Sequence, residues 1–211
     1  MHDLKKSSNK ADLSSNTVEW YTPSPIIEAA RRVLTRGIEL DAASSTIANN
    51  VVQAEHIFTE ADDALSRSWK LGDHAPSTWV NPPSSNLRNK VLGTKSQASA
   101  FWRMNLQQYL LGNILDGLYL VVSTKLMSLN SSMLEFPYCL CDGNARSPFV
   151  TRQGRIKFVS MFGDIQNQPT QSNAIILLPN PEQREFQIQK FVDFFDGEFG
   201  TVYQCRRLKQ G

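Results

Sequence analysis

Thr78-Trp79-Val80-Asn81-Pro82-Pro83 is the stretch on which the reading of this chain turns. Thr78, Trp79 and Val80 are β-forming residues, and the run stops at two consecutive prolines. Each proline lacks a ladder donor and fixes its own φ, so a central strand cannot continue through them. The chain must leave the sheet at Asn81 in a rigid turn. Such a turn aims the Asn81 side-chain oxygen and the Pro82 carbonyl outward, as two acceptors spaced for one NH2 group. An aromatic amine is a poor nucleophile because its lone pair is delocalised into the ring. Holding both N–H bonds favours the tetrahedral nitrogen of the attack, a stabilisation by dipoles set in place beforehand. A bare Asn-Pro-Pro is equally a rigid loop without chemistry, so its surroundings decide.

In both directions from this turn, strands alternate with helices. Upstream, Thr22 or Ser24 can cap a helix and Pro23 or Pro25 fits its first turn; Ile26, Ile27, Ala30, Val33 and Leu34 share one face, and Gly37 closes it. Residues 38–40 read as a strand stopping at Asp41, followed by the small residues Ala42, Ala43, Ser44 and Ser45 and a helix over 46–52. A second strand is expected over 56–58 and a fourth over 118–123. Residues 101–111 read as a helix with Phe101, Leu106, Leu110 and Leu111 as its apolar stripe. Strands at 155–160 and 174–178, a helix at 186–195 and a last strand at 201–204 complete an α/β sheet with helices on both faces. In such sheets the ligand lies beyond the carboxyl ends of the strands, which brings Asp41 and Asn81 to one rim.

Composition fits one domain of 211 residues, with 41% hydrophobic and 20% charged residues and 11 Phe and 4 Trp to fill a core. Residues 1–17 are polar and read as a flexible arm, residues 18–205 as the domain, and residues 206–211 as a basic tail. No apolar run approaches the ~20 residues that span a bilayer, and the N-terminus is too polar for a signal peptide; a cytoplasmic protein is expected. Cys139, Cys141 and Cys205 form no even disulfide framework, and with His2, His56 and His74 far away no zinc spacing completes itself, so no metal is expected. The net charge of +2 is uninformative, but its distribution is not. Residues 74–115 hold no Asp or Glu while carrying Arg88, Lys90, Lys95 and Arg103, and residues 143–163 hold none while carrying Arg146, Arg152, Arg155 and Lys157. Two such runs flanking the turn point to a polyanion such as DNA.

Five features in order carry a resemblance: Glu19-Trp20-Tyr21-Thr22-Pro23; Ile38-Glu39-Leu40-Asp41 with Ala43-Ser44; Phe58-Thr59-Glu60-Ala61-Asp62-Asp63-Ala64-Leu65; Trp79-Val80-Asn81-Pro82-Pro83; and Gly154-Arg155-Ile156-Lys157-Phe158. The chain resembles the phage-type, Dam-like family of DNA N6-adenine methyltransferases from about Val18 to Tyr203. The resemblance implies a Rossmann-like, S-adenosylmethionine-dependent methyltransferase fold with a mixed sheet. It implies that Tyr21, Thr22 and Pro23 close over the cofactor, with Asp41, Ala43 and Ser44 in the cofactor-binding motif. The Asp41 carboxylate or adjacent backbone would engage the methionine ammonium, and Asp62 or Asp63 the adenine amino group or a neighbouring water. Asn81, Pro82, Pro83 and Ser84 would form the catalytic tetrapeptide. From the residues alone, Asp41 is equally a helix cap, and Asp62 and Asp63 a solvated turn.

The chain departs from the family pattern in two places. Ser84 stands where the family has an aromatic residue that stacks on the target base; Phe101, Trp102 and Tyr109 are the rings considered as substitutes. Asp41-Ala42 stands where the family has Asp-Pro, without a glycine-rich loop. Residues 84–117 are longer than the expected connection and are a possible DNA-contacting insertion. The target amine lies inside the stacked duplex, so the base must turn out while cations hold the flanking phosphates. Arg152, Arg155 and Lys157 are the first choice for that grip, with Arg88 and Lys90 behind them. The same acceptor pair can serve the N4 amine of cytosine, and a catalytically silent fold that binds DNA or a partner is the alternative from another class.

Overall fold

Three strands of four or more residues are buried along their whole length, and they set the architecture. β7 (Asp116–Val121) and β10 (Ala174–Leu178) carry apolar runs, and β4 (Ser77–Val80) is buried through its polar residues as well, the pattern of strands covered on both faces. The computed structural model describes residues 20–160, 162–166 and 168–204. The expected arm, the tail, Glu19 and Cys205 lie outside these residues.

The remaining elements of the main sheet are β2 (Leu40–Asp41), β3 (His56–Ile57), β8 (Tyr138–Leu140) and β11 (Thr201–Tyr203). The seven strands run in the order β11-β8-β10-β7-β4-β2-β3. β3, β2, β4 and β7 are parallel, whereas β10 pairs antiparallel with β7, β8 with β10 and β11 with β8. The sheet is therefore mixed.

Alternate residues of the strands feed two cores. Trp79, Leu118, Leu120, Ile175 and Leu177 pack under α1 (Ser24–Val33), α2 (Thr46–Val52) and α5 (Arg184–Phe195). Val80, Tyr119, Val121, Ala174 and Ile176 pack under α3 (Gln97–Leu110) and α4 (Lys125–Leu129) on the other face. Helices cover both faces, as expected from the alternation. Among the described residues no helix is long and apolar enough to cross a membrane.

Several local expectations need correction. Neither Thr22 nor Ser24 caps α1: its N-cap is Pro23, with no side-chain cap, and Thr22 bonds elsewhere. α1 ends at Val33, four residues before Gly37, so Gly37 serves the following turn at φ 72°. α3 starts at Gln97, capped by Ser96, and buries Ala98, Phe101, Trp102, Asn105 and Gln108. That i, i+3, i+4, i+7 face leaves Leu110 72% and Leu111 63% exposed, so the expected stripe of Phe101, Leu106, Leu110 and Leu111 is not the packed one. Only Val159–Ser160 of the 155–160 segment is a strand (β9), because it pairs not with the main sheet but with β1 (Trp20–Tyr21). Residues 84–117 contain an antiparallel hairpin, β5 (Asn86–Val91) and β6 (Thr94–Ser96), which leads directly into α3.

Candidate active site

β2 and β4 are neighbours, with Leu40 opposite Thr78 and Asp41 opposite Trp79. The next residue after β4 is Val80's successor Asn81, so Asp41 and Asn81 share one rim of the parallel half, as the sequence predicts. Asn81 is oriented by the chain that precedes α1. Its Nδ2 donates to Thr22 Oγ1 at 3.2 Å, and Thr22 is buried where Pro23 turns the chain from β1 into the helix. The amide nitrogen being used in this way, Oδ1 is left over. Among the described residues neither Asn81 Oδ1 nor the Pro82 carbonyl accepts a hydrogen bond. Pro82 is buried, whereas Pro83 and Ser84 are exposed.

Two cavities of similar size meet at this rim. One, of about 750 Å³, is lined by Asn81, Pro82, Pro83 and Ser84 together with Trp20, Tyr21 and Phe158. The other, of about 790 Å³, lies toward β3 and is lined by Phe58, Thr59, Asp63, Leu65 and Phe101. Ala43, Ser44, Ser45, Pro83 and Ser85 border both, so the wall between them is built of small residues. Each volume falls in the range of roughly 300–1,000 Å³ typical of small-molecule sites.

Asp41 lies beside this wall, 2% exposed, facing a void of about 30 Å³ that it shares with Tyr21, Thr22 and Asn81. Its Oδ1 accepts from Ala43 N at 3.2 Å. Burial pushes its carboxyl up to about 6, against the opposing hydrogen bonds of the Ser44 hydroxyl and the Ala43 amide. No cation pairs with it among the described residues. A buried carboxylate without a cationic partner is the arrangement that a ligand ammonium would relieve.

The two aspartates at 62 and 63 separate in role. Asp62 Oδ2 accepts from Thr59 N at 2.9 Å and Thr59 Oγ1 at 2.8 Å, closing a capping box on the 3-10 turn Glu60–Asp62. Those bonds, with Arg67 as a lesser cause, lower its carboxyl below the usual range. Asp63, at φ 47°, lines the second cavity and Asp62 does not. Arg67 lies over the Phe58 ring at 4.5 Å, bracing the same wall.

The five basic residues also divide. Arg88, Lys90 and Arg152 are exposed, the first two on β5. Arg155 Nη1 donates to Pro169 O at 3.0 Å and Lys157 Nζ to Pro148 O at 2.9 Å, so both are tied to backbone carbonyls. Of Trp102 and Tyr109, considered as stacking rings, Trp102 is buried in the core with Nε1 donating to Ser132 Oγ, and Tyr109 is half-buried with Oη donating to Pro179 O. Phe101 lines the second cavity, not the one beside Asn81.

The rings lining the cavity beside Asn81 are Trp20, Tyr21 and Phe158, and no local signal in the sequence puts Trp20 or Phe158 there. They meet there because β1 pairs with β9, Trp20 opposite Ser160 and Tyr21 opposite Val159. Gly154 makes the approach to this wall possible. At φ 68° it packs so closely on the Cys141 carbonyl that a β-carbon would lie 2.0 Å from that oxygen. Asn173, buried, joins the wall to the sheet: Oδ1 accepts from Ile156 N at 2.8 Å, and Nδ2 donates to Val122 O at 3.0 Å. A hydrophobic position at 156 and a glycine at 154 were legible; a bridging Asn173 carried no signal.

Among the described residues no group of three or more His, Cys, Asp or Glu side chains comes together as a metal site. No curated protein and no solved structure matches the chain. A family model described as DNA N-6-adenine-methyltransferase (Dam) matches residues 9–194, a span that contains both cavities, the Asn81 turn and the exposed hairpin. The chain belongs to the Dam family of DNA N-6-adenine-methyltransferases.

Proposed function

We propose that this chain transfers a methyl group from S-adenosylmethionine to the N6 amino group of adenine in DNA, with Asn81 and Pro82 holding the amine. The observation that carries this reading is the pair of cavities meeting at Ala43–Ser45 and Pro83, with two unpaired oxygens, Asn81 Oδ1 and Pro82 O, at the edge of one of them. The parallel strand order β3-β2-β4-β7 and the site at its carboxyl rim are in keeping with a Rossmann-like fold.

The second cavity, with Asp41 buried beside its wall at a small void, fits the cofactor. Asp41 offers an uncompensated carboxylate to an ammonium, Ala43 and Ser44 allow close approach, and Asp63 offers an acceptor to an adenine amino group. Tyr21 borders the cavity beside Asn81, Tyr21 and Thr22 border the void beside Asp41, and Pro23 turns the chain from there into α1. When bound, S-adenosylmethionine supplies an electrophilic methyl group on a sulfonium. Asn81 Oδ1 and Pro82 O accept the two N–H bonds of the base amine, which returns lone-pair density from the ring to the nitrogen. Thr22 holds the Asn81 amide against rotation. Pro82 and Pro83 hold the backbone carbonyl in place without a dihedral cost at the moment of reaction.

Ser84 does not leave the base without a stacking surface on this reading. Trp20, 38% exposed, and Phe158 border the same cavity and supply the rings. Arg88 and Lys90 on the β5–β6 hairpin, with Arg152, are positioned for the phosphates; Arg155 and Lys157 shape the wall and add charge behind it.

Transfer of labelled methyl from S-adenosylmethionine to mixed-sequence DNA tests the proposal, and digestion with mass analysis identifies the product base. N6-methyladenine is expected, and N4-methylcytosine would overturn the base assignment. Asn81→Ala is expected to lower turnover by about a hundredfold or more while calorimetric binding of the cofactor changes by less than about threefold. Near wild-type turnover in that variant removes Asn81 from the mechanism.

A further inference from the structure

The wall of the cavity beside Asn81 ends in a feature that holding a base does not need. Phe158 and Gln166 line the cavity and are joined across a narrow hairpin, Gln166 N donating to Phe158 O at 2.8 Å and Val159 bridging Ile165 antiparallel. At the tip of that hairpin Phe162 is 80% exposed, the most exposed large apolar side chain among the described residues. A single exposed apolar residue needs no explanation by itself. A phenylalanine at the end of a braced turn on the rim of a substrate cavity does.

The bracing comes from Ser160. Its Oγ accepts from Phe162 N at 3.2 Å and Asp164 N at 3.1 Å and donates to Asp164 Oδ2 at 3.3 Å. Its backbone N donates to Asp164 O at 2.8 Å, and Gly163 N donates back to Ser160 O at 3.0 Å. Gly163 supplies the left-handed position at φ 86° that closes the turn. The Asp164 carboxylate is turned back onto Ser160, so the forward element of the tip is the Phe162 ring. β9 is in turn paired with β1, which carries Trp20 into the cavity, so one ribbon presents a ring inside the cavity and another outside it. Four residues separate Phe158 at the base from Phe162 at the tip, a reach of up to roughly 13 Å at ~3.3 Å per residue.

We propose that Phe162 is a wedge: it enters the base stack of duplex DNA at the position vacated by the base that turns into the cavity. The inference rests on the reading of that cavity as the base site. A base leaving the duplex loses its stacking and pairing, and an apolar side chain inserted between base steps replaces part of the lost stacking and keeps the base from returning. The hydrogen bonds that Ser160 makes to Phe162 N and Asp164 N reduce the ordering left to be done when DNA arrives.

The test compares wild type, Phe162→Ala and Phe162→Trp on two forms of the same mixed-sequence DNA. One form is the intact duplex; in the other, one strand is made with uracil in place of thymine and the uracils are excised, leaving adenines of the partner strand unpaired. On intact duplex Phe162→Ala is expected to lose about tenfold or more in methyl transfer, with Phe162→Trp within about threefold of wild type. On the excised duplex the Phe162→Ala deficit is expected to shrink to about twofold, because the base no longer has a pair to leave. An equal deficit on both forms, or none on intact duplex, overturns the wedge while leaving the assignment of the active site intact. Silence of the wild type on both forms would instead bring down the functional reading, and the wedge with it.

Discussion

Asp41 ends β2 and Asp116 begins β7, two buried carboxylates at opposite ends of the parallel half of the sheet, and the protein uses them differently. Asp116, wholly buried, collects donors from distant parts of the chain on one oxygen: Thr35 N at 2.9 Å, Thr35 Oγ1 at 2.6 Å and Gln187 Nε2. Gln187 also donates to Val33 O at 3.2 Å and accepts from Asn180 N at 2.6 Å. Asp116 thereby ties the end of α1 and the start of α5 to the sheet. Asp41 draws its donors only from Ala43 and Ser44, residues of its own turn, and faces a void shared with Asn81. A buried charge that binds distant elements is committed to the fold, whereas one held only by its own turn, beside open space, is free for a ligand.

The largest effect expected from this comparison is at Asp116. Asp116→Ala leaves the Thr35 and Gln187 donors in the core without their acceptor. It should cost about 3–5 kcal/mol of stability, read as a lowered urea midpoint at unchanged slope. Cofactor affinity of the protein that remains folded should stay within about twofold. A large loss of affinity at preserved stability would reverse the roles assigned to the two carboxylates.

Asp41→Asn should do the opposite. Burial raises the folded carboxyl from its ordinary 3.8 to about 6. Its contribution to stability is therefore fully present below 3.8 and lost as the pH rises through 6. At neutral pH the ionised, buried group costs on the order of 3 kcal/mol at 1.36 kcal/mol per pH unit. The neutral amide keeps an acceptor for Ala43 N and removes that cost, so the free protein should gain about 1–3 kcal/mol and melt several degrees higher. Its affinity for S-adenosylmethionine should fall by about tenfold or more, since an ammonium no longer meets a charge. A variant both less stable and equally able to bind would show that Asp41 belongs to the scaffold.

That contrast could not be read from the sequence, although much of its frame could. Residues 46–52 and 174–178 form the helix and strand expected of them, because Asp41 with its small successors, and Asn81 with its prolines, mark strand ends by local chemistry alone. Long-range pairing has no such local mark. Nothing near Trp20 names Ser160 as its partner, so the sequence points to rings of α3 instead, of which Trp102 is buried in the core and Tyr109 is half-buried and bonded to Pro179 O. In the β5–β6 hairpin only Leu87 and Val91 mark an apolar face, with Asn89 between them and only polar residues on β6, too broken an alternation to announce a strand. Asp62 and Asp63 look alike in sequence; only the capping box with Thr59 separates the turn-builder from the cavity residue.

The comparison sharpens further with pH. A ligand ammonium that binds only ionised Asp41 should show near-constant affinity from about pH 6 up to its own titration at roughly 8, and lose affinity tenfold per pH unit below about 6. Calorimetric titrations of S-adenosylmethionine between pH 5 and 8 would measure this, and the slope should vanish in Asp41→Asn. A wild-type affinity flat down to pH 5 would separate the carboxylate from the ligand charge.

Ser44→Ala carries the smallest effect and discriminates most finely. The Ser44 hydroxyl lowers the Asp41 carboxyl, yet it also leans on Ser45 O at 3.4 Å, so its hold on Asp41 is shared and modest. Removing it should move the pH midpoint of cofactor affinity upward by roughly half a pH unit, the equivalent of a weak neutral hydrogen bond. Ser44 also borders both cavities, so a lost direct contact with the ligand would appear separately, as a lower plateau of affinity above pH 7. A midpoint that rises while the plateau holds assigns Ser44 to tuning Asp41. A plateau that falls at an unmoved midpoint assigns it to the ligand instead, and the Asp41 titration would then be set by burial, which raises it, against the Ala43 amide alone, which lowers it.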